Sequence, residues 1–484
     1  MVLKLEKIDW LFLCMCLLAG IVAEESFFRD QIGISYIVFI VVFYTIVYYR
    51  FKSYPFSHQR FGYLVLISIW LLAICYFLYD TVLFYMLNII IIPALVIFHL
   101  ALITSSEKTE WSSVRFMIYA LSRLFKGIGF SAIFTKDIVG LIKRKTNNKH
   151  AHIWMKILIG IVISVPFLFI ILYLLISADS QFERLINHIP HLMSFRVDYV
   201  FRFMVILLCT FTFFGFMEVL ARNNAHPIKR EGKPITIDGI VALTVLVLLD
   251  LIYVLFVAVQ FKYFFSGTLD ESFTYAEYAR RGFFELLFAT LINLSVTTAV
   301  IHFTKNVQGF VKTTMRIALT VLVLSSGVLL ISAFMRLTMY EDAYGFTFTR
   351  VLAHSFMIFL MVIFAYTLIK IWLEKLSLFH FYFIASLIYY VGMNVVNIDR
   401  FVVERNMDRF ERTGKIDIHY LNSLSSTGIL GLMEIYEKNP HISELEDLLK
   451  QNKEEREYLK SHSWQSQNFT RNKAYERLEE LEFK

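Results

Sequence analysis

The side chain with the clearest chemical potential is a carboxylate in the middle of an apolar run. Asp250 lies in VLVLLDLIYVLF, residues 245–256. On insertion scales a carboxylate at the centre of a membrane helix costs about 2.5–3.5 kcal/mol. We therefore expect Asp250 to face the interior of a helix bundle, where it pairs with Asn293 or Arg336 or is protonated. Two roles remain open: a hydrogen bond that fixes helix packing, and a proton or cation site.

Other charged and polar side chains fall at the ends of predicted helices, on one common side of the membrane. They could meet in a shared outward cavity, or each could be a separate residue whose long side chain reaches the interface. The candidates for such a polar cavity are Arg202, Glu285, Arg336 and His354, together with Asp198, Arg350 and Asn394.

Motifs for metal, nucleotide and nucleophilic chemistry are missing from the sequence. No histidine pair has zinc spacing, no C-x-x-C occurs, and no P-loop or G-x-S-x-G is present. The net charge of +7 is spread over short gaps between apolar runs, which is unlike a nucleic-acid-binding stripe. We therefore expect no metal, no cofactor and no nucleic acid. The acidic loop with Glu24, Glu25 and Asp30 is interpreted as a solvated loop, with a catalytic role as the alternative.

The elements that must position these residues are membrane helices. Hydrophobic residues make up 57% of the 484-residue chain and charged residues 18%, which excludes an ordinary soluble protein. An apolar run of about 20 residues can cross the bilayer as a helix. Eleven segments qualify: 10–25, 33–49, 61–79, 81–103, 153–176, 198–220, 237–260, 282–303, 317–339, 349–372 and 378–396. The predicted fold is all-α and polytopic, with membrane lipids as its surroundings.

Orientation is predicted from the lysines and arginines in the gaps. They favour a cytoplasmic N-terminus, and eleven crossings then place the C-terminus outside. The basic segment 104–152 contains an apolar stretch, 116–134, interrupted by Arg123 and Lys126. Because two cations inside lipid are costly, we interpret it as an interfacial amphipathic segment. The alternative is that it spans the membrane and moves the C-terminus inside.

The chain changes character at Asn397. Residues 1–396 form the predicted membrane domain, and residues 397–484 are rich in charge and predicted to form a soluble helical tail. Gly414 should end one helix, and Asp417 should cap the next. Arg405 and Arg409 share a helix face and could dock the tail onto the outer loops.

Several stretches of this sequence resemble a bacterial family of polytopic membrane proteins, catalogued as domain of unknown function four-one-seven-three and close to four-one-five-three. The resemblance implies no established activity. In its YAEYARRG block, Glu277, Arg280 and Arg281 precede the eighth predicted helix, where the arginines could hold a phosphate or the block could anchor the bundle at the interface. The stretches are Gln31–Tyr49, Leu87–Leu100, Thr274–Asn293, Asn394–Ser425 and Ser463–Leu478.

Three functions fit these patterns. The first is a protein of the bacterial plasma membrane that binds or transports a small or lipid-linked ligand through an outward-facing polar cavity. The second is an enzyme that acts on lipid-linked substrates at the outer surface. The third is a non-catalytic scaffold or sensor whose tail binds envelope proteins. A water path that reaches Asp250 would favour transport, and a dry bundle would favour the scaffold.

Overall fold

The long apolar runs of the sequence form α-helices, because lipid leaves no other partner for the backbone groups. The structure is a computed structural model, and it describes residues 7–145, 160, 164, 171, 175, 197–222, 236–263, 283–304, 307–440, 442–458 and 463–483. Every regular element in these ranges is helical. The prediction of an all-α fold is therefore confirmed.

Eleven helices precede the tail in the described ranges. They are α1 Lys7–Phe27, α2 Ile34–Arg50, α3 Gln59–Leu78, α4 Val82–Ile103, α5 Val114–Lys145, α6 Val197–Arg222, α7 Gly239–Tyr263, α8 Phe283–Phe303, α9 Gly309–Tyr344, α10 Phe348–Trp372 and α11 Leu378–Val395. Ten of them are long and apolar enough to cross a membrane, and α2 is an apolar helix of 17 residues. This chain is thus a multi-pass membrane protein.

The tail consists of shorter helices. They are α12 Ile398–Thr413, α13 Ile418–Ser423, α14 Ser426–Lys438, α15 Ser443–Tyr458 and α16 Phe469–Glu480, with a 3-10 turn at Trp464–Ser466. The predicted boundaries inside the tail are confirmed. Gly414 adopts the left-handed conformation, with φ of 68°, at the end of α12. Asp417 Oδ1 accepts a hydrogen bond from the Tyr420 backbone N–H at 2.9 Å and so caps α13.

Compactness divides the chain into two units, and this division cuts across the predicted boundary at Asn397. Unit 1 contains Met1–Leu78, Leu87–Ile228 and Ser461–Asn468, and unit 2 contains Tyr79–Met86, Lys229–Lys460 and Phe469–Lys484. Each unit therefore includes part of the tail. The boundary at Asn397 was predicted from the change from apolar to charged sequence, whereas the two units are defined by compactness. The predicted boundary therefore stays a prediction.

The helices of unit 1 alternate between two ends. At the near end, Asp9 of α1 and Arg50 of α2 lie beside Glu218 and Arg222 at the end of α6. At the far end, Glu24 at the end of α1 pairs with Arg202 near the start of α6, at 2.7 Å. Helices α1 and α6 are therefore antiparallel.

Helix α5 differs from the interfacial segment expected for residues 116–134. It is one continuous helix of 32 residues, long and apolar enough to cross a membrane. Gly127 packs against the backbone of Phe216, and Ser131 Oγ donates to the Phe211 carbonyl at 2.5 Å. Contacts at higher residue numbers on α5 fall at lower residue numbers on α6, so the two helices are antiparallel. Continuing this pairing places residue 145 opposite the start of α6, at the far end.

The physical reason for this difference lies in the glycines. Read alone, Gly127 and Gly129 weaken a helix. In the structure Gly127 allows α5 to approach α6 at backbone distance, as small residues do between membrane helices. Arg123, one of the two cations that argued against a crossing, is only 6% exposed. Its side chain therefore lies inside the protein rather than in lipid.

The crossing of α5 also changes the orientation argument. Residues 143–145 are basic and now belong to the far end instead of the near end. The excess of lysine and arginine at the near end therefore becomes smaller. The predicted helix 153–176 lies outside the described residues, apart from four positions, 160, 164, 171 and 175.

This tracing predicts which parts of the chain share a compartment. The start of α5 lies at the near end of unit 1 and its last residue, Lys145, at the far end. In a cysteine-free background, Lys145→Cys should therefore react with an impermeant maleimide from one side of the membrane, and Lys52→Cys from the other. Reaction of Lys145→Cys together with Lys52→Cys would show instead that α5 is interfacial.

Candidate functional site

A buried carboxylate–histidine pair joins α9 and α10 in unit 2. Glu341, in the last turn of α9, is 3% exposed, and its Oε2 lies 3.1 Å from His354 Nδ1. Gly345, with φ of 87°, ends α9, and Thr347 caps α10, so the chain reverses within a few residues. This tight reversal places the two side chains face to face.

Both ring nitrogens of His354 lie within hydrogen-bond distance of neighbouring polar groups. His354 Nε2 lies 3.4 Å from the Phe334 carbonyl and 3.3 Å from Thr338 Oγ1. A carbonyl and a carboxylate can only accept, so an imidazolium could donate to both sides. Glu341 Oε1 is buried and has no hydrogen-bond partner among the described residues. The pair is thus a buried acid–base couple with one carboxylate oxygen unused.

Two of the predicted arginines lie close to this pair along the chain. Arg336, 7% exposed, precedes Glu341 on α9 by just over one turn. Arg350, on the first turn of α10, donates to the Gly345 carbonyl and lies over the Tyr340 ring, 4.3 Å from its centroid. Sequence reasoning placed Arg336, Arg350 and His354 at one surface but did not identify Glu341. Nothing in the sequence around Glu341 distinguishes it from other charged residues near the end of a helix.

Helix α9 makes polar contacts with three different helices at three positions along its length. Ser326 Oγ accepts from Asn293 Nδ2 of α8 at 2.9 Å, and Ser332 Oγ donates to Gln260 Oε1 of α7 at 2.9 Å. The Glu341–His354 contact with α10 is the third. At about 1.5 Å per residue, Ser326 and Glu341 are about 22 Å apart along α9. These polar contacts therefore extend over most of the thickness of a bilayer core.

Asp250 is partly buried on α7, and neither expected partner is bonded to it. Asn293 instead donates to Ser326. Among the described residues, Asp250 Oδ1 is buried without a hydrogen-bond partner. Its place beside Leu249 and Tyr253, which pack on the core around α9, keeps it at the edge of the helix bundle. The two predicted roles of Asp250 both stay predictions.

The other predicted site residues are scattered. Glu285 is exposed in the first turn of α8. Glu277, Arg280 and Arg281 lie outside the described residues. Arg202 belongs to unit 1, where its guanidinium binds Glu24, a residue that is 1% exposed.

The acidic residues at the end of α1 and in the loop after it contact the segment Ser463–Asn468 within unit 1. Glu25 Oε1 accepts from Gln465 Nε2 at 2.6 Å, and Asp30 Oδ2 accepts from Ser463 Oγ at 2.5 Å. The Ile34 backbone N–H donates to the Gln467 carbonyl at 3.1 Å. The acidic side chains of this loop are therefore engaged in packing the segment Ser463–Asn468.

A pair of carboxylates joins the tail to the α3–α4 turn inside unit 2. Asp399, 2% exposed on α12, accepts from Thr81 Oγ1 at 2.7 Å and from Ser425 Oγ at 2.6 Å. Asp80 accepts from the hydroxyl of Ser426 at 2.5 Å. Sequence reasoning passed over both acids, because short carboxylates beside turns are common and their meeting depends on the tertiary fold.

The chemistry of Asp399 is set by its burial. Burial raises the pKa of this carboxyl above its ordinary value. The hydroxyls of Ser425 and Thr81 oppose that change in pKa, and the nearby Asp80 adds to it. Asp399 therefore keeps its proton to a higher pH than an ordinary aspartate does.

This raised pKa predicts a pH dependence of tail docking. A folded-state pKa above the unfolded value gives stability that is complete below the unfolded pKa and is lost as pH rises through the folded pKa. Raising the pH above the ordinary aspartate range should therefore lower the unfolding temperature of wild type more than that of Asp399→Asn. Asp408→Asn, an exposed position on the same helix, should follow wild type. Parallel pH profiles for wild type and Asp399→Asn would contradict this expectation.

The two arginines expected to dock the tail behave differently. Arg409 Nη2 donates to the Ala343 carbonyl at the end of α9, at 2.9 Å. Within the described part of the chain, Arg405 contacts only its own helix, with Asp408 at 3.8 Å and the Phe401 ring at 5.1 Å from its centroid. Asn406 of α12 binds the loop before α10 through two hydrogen bonds. Its Oδ1 accepts from the Phe346 N–H at 3.1 Å, and its Nδ2 donates to the Phe346 carbonyl at 2.8 Å.

Comparison with known families gives one match, to a family described as Domain of unknown function (DUF4153), over residues 66–435. The chain belongs to this family. The match runs from α3 to α14 and so includes Asp80, Glu341, His354 and Asp399. It corrects the family number expected from the sequence, where four-one-seven-three was placed before four-one-five-three. No curated protein and no solved structure matches the chain.

Proposed function

We propose that this membrane protein binds and moves a small or lipid-linked ligand, and that the ligand path follows α9 of unit 2. The observation that carries the proposal is the buried Glu341–His354 pair, with Glu341 Oε1 unpartnered among the described residues. A buried acid–base couple at a helix end can change its charge when a ligand or a proton arrives. The polar contacts of Ser332 and Ser326 continue from it towards the middle of the membrane.

The competing explanation for these polar contacts is helix packing, because hydroxyl and amide groups also join membrane helices. Packing alone needs no unpartnered buried carboxylate oxygen, and both Glu341 and Asp250 have one within the described part of the chain. Unit 2 has a third such atom, Asp80 Oδ1 in the α3–α4 turn. The two on the membrane helices α7 and α9 are the feature that favours a ligand or ion path over a scaffold.

The proposal is tested by water access to α9. In a cysteine-free background, Ser332→Cys lies at a position that is 0% exposed. If a path exists, this cysteine should react measurably with a small charged methanethiosulfonate reagent. Ser295→Cys, exposed on the outer face of α8, should stay unreactive because lipid suppresses the thiolate, and Lys415→Cys in the tail should react fast. A Ser332→Cys as inert as Ser295→Cys would show a dry bundle and sink the transport proposal.

The role of the acid–base pair is tested in the same assay. Glu341→Gln keeps the shape of the side chain but removes its charge. We expect it to change the reaction rate of Ser332→Cys by about tenfold or more, equivalent to about 1.4 kcal/mol in the opening equilibrium. Glu285→Gln removes an exposed carboxylate and should leave the rate unchanged. Equal rates in both variants would assign the pair to packing.

For cellular location we propose the bacterial plasma membrane, with a cytoplasmic N-terminus and the tail outside. The support is the remaining excess of lysine and arginine at the near end and the resemblance of the tail motif to bacterial proteins. Membrane lipids are then the immediate partners. The charged outer surface of α12 and α15 is where we expect envelope proteins to bind.

A second function is favoured by the Asp80–Asp399 pair. Two carboxyls side by side, one of them with a raised pKa, are groups that general acid–base catalysis can use. We infer, as the alternative, an enzyme that acts on lipid-linked substrates at the tail face. Asp80→Asn and Asp399→Asn should then abolish complementation of a deletion strain while the purified variants remain folded. Full complementation by both variants would leave docking as the role of these acids.

A further inference from the structure

Among the described residues, Arg123 of α5 is a buried cation without an acidic partner. The residue is 6% exposed, and its Nε and Nη1 are buried atoms with no hydrogen-bond partner in the part of the chain that the structure describes. Its Nη2 donates to the Tyr119 hydroxyl at 2.7 Å. An uncompensated buried guanidinium is strongly unfavourable, and it is retained in a fold when something else supplies the negative charge.

The neighbours of Arg123 are aromatic rather than acidic. The guanidinium carbon lies 4.6 Å from the centroid of the Tyr119 ring. Phe116 is 5.7 Å from Tyr119 between ring centroids, and Tyr54 donates its hydroxyl to the Thr104 carbonyl at 3.0 Å. A cation–π contact stabilises the charge only in part and leaves the N–H groups unsatisfied. Tyr119 is partly exposed and covers the guanidinium, so rotation of this ring would open the unused nitrogens to a ligand.

The positive charge of Arg123 acts on Tyr54 in the loop between α2 and α3. Burial raises the pKa of Tyr54, the neighbouring Tyr119 raises it further, and the positive charge of Arg123 opposes both effects. Tyr54, Tyr119 and Arg123 therefore form one group, although they come from the α2–α3 loop and from α5.

The group lies at the near end of unit 1, at the depth of lipid headgroups. The pairing of α5 with α6 places Arg123 at the level of Glu218 and Arg222, which mark that end. Glu218 is already neutralised by Arg50 and Arg222, at 2.7 and 2.6 Å, and so offers no charge to Arg123. Exposed basic residues of the same end raise the local concentration of anions: Lys52, Arg60, Lys108 and Arg115.

We propose that Arg123 anchors a binding site for a phosphate group at the near end of unit 1, with the hydroxyl of Tyr119 as a further donor. Nε and Nη1 of Arg123 carry three unused N–H groups, so its planar guanidinium can still donate several hydrogen bonds to the oxygens of a phosphate. The phosphate can belong to an anionic lipid headgroup or to a free anion. Neither source depends on the transport path proposed for unit 2.

The test uses the full-length protein in nanodiscs of phosphatidylcholine, with and without added inorganic phosphate, and in nanodiscs that contain phosphatidylglycerol. A bound phosphate should raise the unfolding temperature by about 5 °C, since a ligand that binds only the folded state stabilises it. A rise with phosphatidylglycerol alone identifies the lipid, and a rise with inorganic phosphate identifies the free anion. No rise in either arm, against a chloride control, overturns the proposal.

Two variants separate this site from general surface charge. Arg123→Gln should lose the rise and should also be more stable than wild type in plain phosphatidylcholine, because it removes an unpaired buried cation. Arg115→Gln, an exposed position on the same helix, should keep the rise, and an equal loss in both variants would refute the site. If Arg123→Gln does not fold, Arg123→Lys serves, since it keeps the charge but lacks the fork and should retain less than half of the rise.

Discussion

Gly215→Ala should strongly destabilise the protein, by about 3 kcal/mol or more. The added Cβ would collide with the Gly127 carbonyl and with Ser131 Oγ, both on α5. One of these atoms belongs to a backbone, so the collision cannot be relieved by a side-chain rotation and the two helices must separate. Their separation would also break the 2.5 Å hydrogen bond from Ser131 to the Phe211 carbonyl. The change should appear in detergent micelles as a lower unfolding temperature.

Gly129→Ala is the matched control for this prediction. It lies on α5 two residues from Gly127, and an added Cβ there would meet no atom within 4 Å. Because alanine is the better helix former by about 0.8–1.0 kcal/mol, this change should be neutral or slightly stabilising. If Gly215→Ala and Gly129→Ala behaved alike, close packing of α5 on α6 would be refuted, and with it the crossing of α5.

Glu218→Ala should be the second variant with a large effect. Glu218 is 0% exposed and holds Arg50 Nη2 at 2.7 Å and Arg222 Nε at 2.6 Å, so that it ties α2 to α6. Removing the carboxylate leaves Arg50 without an acidic partner among the described residues and leaves Arg222 with only its 3.5 Å contact to Asp9. Breaking a buried ion pair from one side costs about 3–5 kcal/mol. Chemical unfolding in mixed micelles would measure this loss as a change in the free energy of unfolding.

Two further variants show whether the loss comes from the unpaired charge. Glu437→Ala removes the partner of Arg477, at 3.0 Å, from an ion pair on the tail surface and should cost less than about 1 kcal/mol. In the Glu218→Ala background, Arg50→Met should restore part of the lost stability, because it removes one of the uncompensated cations. A further loss in the double variant would mean that Arg50 stabilises the bundle by its packing against Phe12 instead.

Much of the fold follows from local sequence. The apolar runs that predicted helices at 237–260 and 282–303 became α7 and α8, because burial of backbone groups in lipid depends on composition and length alone. The end of α12 at Gly414 and the cap of α13 at Asp417 were equally predictable. Both depend on backbone conformations and hydrogen bonds formed within a few residues.

The candidate site was predictable in part. The positions of Arg336 and His354 at helix ends indicated that they lie near one surface of the membrane. The acid that meets His354 was not predictable, because Glu341 looks like any charged residue in the last turn of a helix. Its burial depends on the reversal between α9 and α10, where Gly345 adopts φ of 87°. The same holds for Asp399, whose partner Asp80 is far away in the sequence and near only in the fold.

The sequence by itself determined the class of this protein and the location of most of its helices, since each depends on the transfer of local segments between water and lipid. The tertiary structure decided which polar groups meet. It turned α5 from an expected interfacial segment into a helix packed along α6, because Gly127 and Gly215 permit backbone contact. It also gave Glu218 a second arginine and left Arg123 without an acid. Pair energies of this kind depend on distance and burial, which no single segment contains.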